Sequence, residues 1–484
     1  MAQKVTQRSR SSKFLKDLGI YAIGNLGSKL ITFAMVPLYT FFVHDKSDFG
    51  YYDLCLTVIF LIMPFTTLQL RDGAFRFLLE TEDKRRRSKI ITFIYRSLLT
   101  SAVVSLVATV LLSLFTSIGY VWYCFLLLMA MSFFEVITQV ARGLGNNKDF
   151  VTAGILSSLG IGVFSIILVA FMGMGIKGIF IANILARLVA LIYLEVKLKI
   201  IATYFKFHIS LRQVGREILK YSLPLLPGSL CWWLTGSSDR WFIEYYLGLD
   251  VNGVYAVAFR FNGIILTLAT IFYQAWQETA ILQYNSPDRD KFFSKMFNSY
   301  IGILAILLTV YTFGLKIFYP LIVDANYQES VNYLYLMGVS AVLFALSAFF
   351  DMGYQCAKDT PRTLPAIFLA AIVNVVSNFL LVKHIGVYGA IVTSIITYLV
   401  LFLYRLHDMK RYFTLSFYKS TTISAMIIAM GAIPFHFFNS WWMQLLYMLV
   451  ACGLSLLSIP LQTRNELRAK ILQKTSSANN KDIK

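Results

Sequence analysis

The chain has 484 residues, of which 57% are hydrophobic and only 14% are charged, and its mean hydropathy is +0.65. Soluble domains carry about 25% charged residues, so the composition excludes a soluble protein and predicts an integral membrane protein. The net charge of +19 would suit a nucleic-acid-binding protein, but the positions of the charges indicate membrane topology and no nucleic-acid partner.

The first predicted span is residues 17–43, and Lys29 lies near its middle. A helix crosses a hydrocarbon core of ~30 Å with about 20 apolar residues, and Lys29 lies about 18 Å along the helix from Asp17. An ammonium group at that depth is unfavourable unless it faces water, a counter-ion or an anionic ligand. Gly24 and Gly27 allow a neighbour to approach the backbone closely. The span therefore predicts one wall of a polar cavity within the membrane.

Apolar runs of spanning length recur to the end of the chain and are joined by short loops. They predict an all-α fold with fourteen transmembrane helices. The predicted spans are 17–43, 49–70, 90–116, 119–141, 151–173, 176–196, 221–246, 252–275, 297–318, 331–355, 362–382, 385–405, 419–438 and 440–461. In the seventh of these, Pro224, Pro227 and Gly228 predict a bent or broken helix.

The basic residues set the orientation of these spans. With the N-terminus in the cytoplasm, 35 of the 44 Lys and Arg residues fall in inner segments, 4 in outer loops and 5 within helices. Such an excess at the inner face is the normal signature of membrane topology. We therefore expect both termini to be cytoplasmic.

Short motifs recur in the same order at a nearly constant offset, which suggests that spans 1–6 and 7–12 are homologous lobes. The pairs are 49–52 with 252–255, 139–142 with 355–358, and 175–178 with 386–389. Six spans per lobe predict a parallel repeat with a substrate site between the lobes near the membrane midplane. The predicted domains are an N-lobe (1–199), a cytoplasmic linker (200–220), a C-lobe (221–406), a two-helix appendage (407–462) and a basic tail (463–484).

Basic side chains outnumber acidic ones within the spans, and a cavity lined by several bases favours a phosphate-bearing ligand. The candidate binding residues are Lys29, Arg260, Arg187, Arg240, Arg71 and Arg76. Other roles stay open: Arg187 paired with Glu135, Arg240 in a salt bridge with Asp239, Arg260 reaching outer headgroups, and Arg76 at the inner interface.

The acids that look comparably placed are Glu135, Asp239, Glu244 and Asp351. Glu135 and Asp239 are candidates for coupling transport to H⁺ or Na⁺, with a fixed salt bridge as the alternative for each. The sequence contains no G-x-x-x-x-G-K-[ST] and no H-E-x-x-H motif, and its five cysteines are scattered singly. These observations predict neither an enzyme nor a bound cofactor or metal, and any pumping must then use an ion gradient or the membrane potential.

The segments 24–52 (GNLGSKLITFAMVPLYTFFV…FGYY) and 223–255 (LPLLPGSL…SSDRWFI…) resemble the polysaccharide-transporter (Wzx-type) oligosaccharide flippases. That family belongs to the exporter superfamily that includes the MATE drug exporters and the lipid II flippases. The resemblance implies a V-shaped fold of two lobes in the bacterial plasma membrane. It also implies a cargo of oligosaccharide repeat units on undecaprenyl diphosphate, flipped to the outer leaflet by alternating access for surface polysaccharide synthesis. The polymerase and glycosyltransferases of the same pathway are implied partners, together with membrane lipids.

The same resemblance implies that Lys29 and Arg260 contact the diphosphate, since both match basic positions of the family. Lipid II flippases also carry a basic residue midway along the second span, where this chain has only Arg71 and Arg76, nearer the inner end. Three alternatives remain: a lipid II-type or other polyprenyl-lipid flippase, a MATE-like small-molecule antiporter, and a membrane scaffold or polymerase subunit. An antiporter predicts a net-acidic cavity, and a polymerase predicts a large outer loop.

Overall fold

The structure, a computed structural model, describes residues 33–115, 119–206, 208–357 and 359–459. Within these ranges the chain forms helices joined by turns and short loops, and no strand. Ten of the helices are long and apolar enough to cross a membrane, judged by length and composition. The predicted all-α membrane fold is confirmed to that extent, and the count of fourteen spans stays a prediction. Lys29 and the first half of the predicted span 17–43 lie outside the described residues.

Contacts group the described residues into two compact units that divide between Val257 and Ala258. We refer to them as the N-terminal unit and the C-terminal unit; the lobe boundaries inferred from the repeat stay predictions. The helices of the N-terminal unit are α1 Phe33–Phe42, α2 Lys46–Thr67, α3 Leu70–Leu79, α4 Lys84–Phe115, α5 Val121–Gly143, α6 Asn147–Ser165, α7 Gly175–Leu198, α8 Ile200–Tyr204, α9 Arg212–Ser222, α10 Leu226–Ser237 and α11 Asp239–Leu247. Helix α6 continues as a π-helical segment, Ile166–Phe171.

Helix α12, Leu249–Gln283, begins in the N-terminal unit and ends in the C-terminal unit. The remaining helices are α13 Arg289–Ile322, α14 Leu334–Cys356, α15 Thr363–Ile385, α16 Val387–Asp408, α17 Thr421–Met430, α18 Ala432–Phe437 and α19 Trp441–Ser458. The ten candidate spans correspond to predicted spans 2–6 and 8–12. The segments predicted as spans 13 and 14 form the shorter apolar helices α17–α18 and α19.

The interruptions of the second and seventh predicted spans each have a local cause. Leu68 and Gln69 adopt positive φ angles of 50° and 53°, which ends α2 and redirects the chain into α3. In the predicted seventh span, a 3-10 turn at Leu223–Leu225 precedes α10, and a further turn at Ser238 separates α10 from α11. The interruption expected from Pro224 and Pro227 is therefore confirmed, because proline cannot continue the helical hydrogen bonds.

The recurring motifs occupy matching places in the helices. Gly175 begins α7 and Gly386 precedes α16, and both have positive φ angles, 53° and 61°. The glycines of the first motif pair, Gly50 and Gly253, pack against each other's helix start. A Cβ on Gly50 would overlap the Leu249 carbonyl oxygen, and one on Gly253 would overlap that of Lys46. Glycine is required at both positions because the backbones approach too closely for any side chain.

The packing within each unit also repeats. In the N-terminal unit, α7 packs against α5 and α6, and in the C-terminal unit α16 packs in the same way against α14 and α15. The core of the N-terminal unit includes Leu70, Ile94 and Val140. In the C-terminal unit, Trp276 stacks on Phe349 with ring centroids 4.5 Å apart. Long stretches of other helix faces remain apolar and exposed, Leu114 by 72% for example, as expected for surfaces that contact lipid.

Candidate functional site: charged side chains within the helices

Arg240 lies at the start of α11 and is 3% exposed. Its Nε donates to Asp53 Oδ2 of α2 at 2.6 Å, and its Nη1 donates to Asp239 Oδ1 at 3.2 Å. The Tyr255 hydroxyl of α12 donates to the other oxygen of Asp239. Buried charges are tolerated when they are paired and hydrogen-bonded, and this cluster joins three helices of the N-terminal unit. The salt bridge between Arg240 and Asp239 that the sequence left open is therefore present.

Asp53 is a member of this cluster that the sequence did not identify. It lies in the third turn of α2, seven residues after Lys46, and it is 6% exposed. One signal was available, since Asp53 follows the matched motif 49–52 directly. The partner of Asp53 is 187 residues away in the chain, so sequence spacing could not pair them.

Arg187 lies near the middle of α7, twelve residues after Gly175, which is about 18 Å along the helix axis. Its Nη1 donates to the Asn183 carbonyl oxygen at 2.7 Å and to Asn183 Oδ1 at 3.0 Å. Asn183 is fixed in turn, because its Nδ2 donates to the Ile179 carbonyl oxygen at 3.0 Å. The two oxygens that hold the guanidinium are uncharged. Its positive charge is therefore positioned without being neutralised by these contacts.

Glu135 of α5 pairs with Arg71 of α3, not with Arg187. The pairing of Glu135 with Arg187 that the sequence offered as an alternative is thus wrong. Helix α3 packs against α5, and the redirection of the chain at Leu68 and Gln69 brings Arg71 to that contact. Glu135 is thus held in a salt bridge with Arg71. The sequence analysis gave such a fixed salt bridge as the alternative to a role of Glu135 in ion coupling.

Arg76 lies farther along α3 and is the most exposed of the described candidates in the N-terminal unit. Its Nε donates to Glu80 Oε1 at 3.1 Å, with 54% and 58% of the two side chains exposed. Its guanidinium also lies 4.7 Å from the centroid of the Tyr221 ring. These contacts are those of an exposed residue, which fits the inner-interface alternative for Arg76.

Arg260 belongs to the C-terminal unit, where it lies in α12 and is half-buried. The structure therefore brings together Arg240 with Asp239, and Arg71 with Glu135, whereas Arg187 and Arg76 have local partners. Lys29 lies outside the described residues. Binding by these six basic residues stays a prediction.

The C-terminal unit contains a second buried arginine, Arg405, which is 1% exposed. The sequence placed it at the last residue of the predicted span 385–405, and in the structure α16 continues to Asp408 and packs against α14. Arg405 Nη2 lies 3.1 Å from Asp351 Oδ1. Tyr273 and Gln355 both donate to Asp351 Oδ2, at 3.1 Å and 3.0 Å. Asp351, noted from the sequence, thus has a cationic partner.

Three comparisons with known proteins bear on this arrangement. A family model described as polysaccharide biosynthesis protein matches residues 14–277, more than half of the chain. A search of the curated proteins found no match.

Solved structures show the same fold at low sequence identity. The lipid II flippase MurJ in an inward closed conformation is 13% identical with a TM-score of 0.65, and the match covers 93% of this chain and 99% of that one. An inward-facing multidrug resistance MATE family transporter of the MOP superfamily is 14% identical with a TM-score of 0.60, over 79% and 95% of the two chains. A MOP superfamily transporter from Pyrococcus furiosus Vc1, noted for the reversed polarity of its binding pocket, is 17% identical with a TM-score of 0.55, over 83% and 96%.

Proposed function

Because this chain belongs to the polysaccharide biosynthesis protein family, we propose that it is a flippase for oligosaccharide repeat units linked to undecaprenyl diphosphate. It moves them from the inner to the outer leaflet of the bacterial plasma membrane, without covalent chemistry. The MOP-type fold supports this proposal, since lipid and small-molecule transporters share that fold. Both termini are placed in the cytoplasm by the excess of basic residues at the predicted inner face.

The observation that carries the proposal is that the guanidinium of Arg187 is held by uncharged oxygens. A guanidinium near the middle of an apolar helix is unfavourable unless it meets an anion, water or another partner. The contacts that fix Arg187 are neutral oxygens of Asn183, so they orient the group and leave its charge available. A planar guanidinium suits the oxygens of a diphosphate. In the proposed mechanism, Arg187 binds the diphosphate together with Lys29.

The proposed energy source is an ion gradient, and Asp239 is the proposed coupling residue. Among the residues that the structure describes, Asp239 and Asp53 both form their ion pairs with one guanidinium, that of Arg240. Two ionised carboxylates would leave one negative charge uncompensated, and H⁺ or Na⁺ would balance it. Glu135 is the weaker candidate because Arg71 already pairs with it.

The test uses the full-length protein in proteoliposomes that contain a fluorescent polyprenyl-diphosphate oligosaccharide, with movement read by accessibility to an added glycosidase. We expect Arg187→Gln to lower the initial rate by about 10-fold or more, as for loss of one charge-assisted contact. Lys29→Glu should abolish movement. Arg85→Gln, at an exposed basic position, is the control and should keep the wild-type rate. Wild-type rates in both Arg187→Gln and Lys29→Glu would refute the proposed site.

A small-molecule antiporter is the second candidate, and one observation favours it. The Arg240 cluster carries more carboxylates than guanidinium groups, and an acidic site would suit a cationic drug. Efflux of ethidium that depends on Asp239, together with no movement of the lipid-linked sugar, would establish this function instead.

A further inference from the structure

The N-terminal unit carries a groove that the proposed transport function does not use. It has a volume of about 1260 Å³ and lies between α4 and α9. Helix α9 contributes Arg212, Arg216 and Lys220, and α4 contributes Arg96. Four basic side chains thus line one groove, which has no acidic residue among its lining groups.

The basic residues of α9 form a stripe. Arg212, Arg216 and Lys220 follow one another at intervals of four residues and all are exposed, so they lie on one face of the helix. The other face buries Val214 and Ile218 in the core of the unit. Like charges at this spacing repel one another. An anion bound along the stripe would relieve that repulsion.

The opposite wall of the groove adds apolar and hydroxyl groups. Leu68, Phe93 and Leu223 provide apolar surface. Ser97, Thr100 and Ser101 lie on the same face of α4, because they are spaced by three and four residues. Arg96, which also lines the groove, donates from Nη2 to the Lys206 carbonyl oxygen at 3.5 Å. A ligand here meets cations on one side and hydrocarbon on the other.

We propose that this groove binds an anionic phospholipid of the inner leaflet, with its phosphate on the basic stripe and an acyl chain along the apolar wall. An amphipathic helix with basic residues on its polar face is typical of the membrane interface. The basic segment before α4 predicts that this end of the unit faces the cytoplasm, where the leaflet is negatively charged. A free phosphate would leave the apolar wall unused. The inference does not depend on the transported cargo.

The experiment measures lipid adducts on the purified full-length protein by native mass spectrometry. Phosphatidylglycerol and phosphatidylcholine are added in equal amounts, and phosphatidylglycerol adducts should exceed phosphatidylcholine adducts by about fivefold or more, the value of one basic contact at a membrane surface. The preference should weaken as ionic strength rises from about 0.01 M to 1 M, because screening shortens from about 30 Å to 3 Å. A preference that is absent, or that does not respond to salt, would overturn the proposal.

Variants then locate the site. R212Q/R216Q/K220Q should reduce the preference by at least about fivefold. The matched control K84Q/R85Q/K419Q removes the same charge from exposed positions outside the groove. This control should keep the wild-type preference for phosphatidylglycerol. If the first variant does not fold, K220Q alone should still lower the preference. Equal preferences in R212Q/R216Q/K220Q and the control would overturn the assignment.

Competition experiments show whether the groove prefers a phospholipid, a free phosphate or the transported polyprenyl diphosphate. Inorganic phosphate or undecaprenyl diphosphate is added at the same concentration as phosphatidylglycerol. We expect phosphatidylglycerol adducts to persist in both cases. Displacement by phosphate would assign the groove to a free anion, and displacement by undecaprenyl diphosphate would assign it to the cargo; either result would overturn the phospholipid assignment.

Discussion

Among the described residues, each of the two compact units contains one arginine that is almost fully buried within its helices, and the two arginines are held differently. In the N-terminal unit Arg240 faces two carboxylates, those of Asp53 and Asp239. In the C-terminal unit Arg405 pairs with the single carboxylate of Asp351. A tyrosine hydroxyl donates to a carboxylate in each, from Tyr255 in the first unit and Tyr273 in the second.

The difference indicates separate roles for similar clusters. One guanidinium against one carboxylate is balanced, and Gln355 donates a further hydrogen bond to Asp351, so the C-terminal cluster suits a fixed structural contact. One guanidinium against two carboxylates is balanced only if a proton or cation joins them. The coupling role proposed for Asp239 fits the N-terminal cluster better, and the loss of Arg240 should lower stability more than the loss of Arg405.

The largest effect is expected from Arg240→Met. It leaves two buried carboxylates without their cation, so the free energy of unfolding should fall by about 3–5 kcal/mol. Equilibrium unfolding in mixed detergent micelles measures this change. Arg240→Lys keeps the charge and should lose less. A loss for Arg240→Met below about 1 kcal/mol would show that the cluster is not held by its charges.

Arg405→Met should lower the free energy of unfolding by a smaller amount, about 1.5–3 kcal/mol. Tyr273 and Gln355 would still donate to Asp351, which is also partly exposed, with 22% of its side chain accessible. The same unfolding experiment compares the two variants side by side. A loss equal to or greater than that of Arg240→Met would contradict the distinction between the units.

The tyrosines provide a finer comparison. Tyr255→Phe removes a donor from Asp239 in the cluster that has excess negative charge, and we expect a loss of about 1–2 kcal/mol. Tyr273→Phe leaves Gln355 donating to Asp351, and the loss should be about 0.5–1 kcal/mol. Equilibrium unfolding of each single variant measures its loss in the free energy of unfolding. The reverse order would indicate that the second cluster depends more on its tyrosine.

The smallest effect is expected outside both clusters. Arg76 pairs with Glu80 while 54% of its side chain is exposed, so Arg76→Gln should change the free energy of unfolding by at most about 1 kcal/mol, its contact with the Tyr221 ring included. The loss measured for Arg76→Gln sets the baseline for the losses of Arg240→Met, Arg405→Met and the two tyrosine variants. A larger loss would mean that exposed ion pairs contribute more to the stability of this protein than such pairs usually do.

Much of the helical architecture was predictable because its causes are local. Hydropathy over about twenty residues located the segments of the ten candidate spans. Pro224 and Pro227 predicted the interrupted seventh span, since a missing N–H disrupts a helix wherever the helix packs. The recurring glycines also fall at matching helix starts.

The partners of the charged side chains were less predictable. The sequence offered Glu135 as one possible partner of Arg187, whereas the packing of α3 on α5 pairs Glu135 with Arg71. It did not identify Asp53, and it did not single out Arg405 at the end of its predicted span, although both are buried. Hydropathy gives the depth of a residue in a helix, but it does not give the neighbour that the side chain faces.

The sequence alone determined that this is a helical membrane protein, because composition and hydropathy are properties of consecutive residues. The basic inner face and the internal repeat stay predictions from the same sequence. Only the tertiary structure decided which charges meet. Asp53 and Arg240 are 187 residues apart, and whether they touch depends on how α2 and α11 are rotated and packed. That rotation is set by contacts across the whole unit.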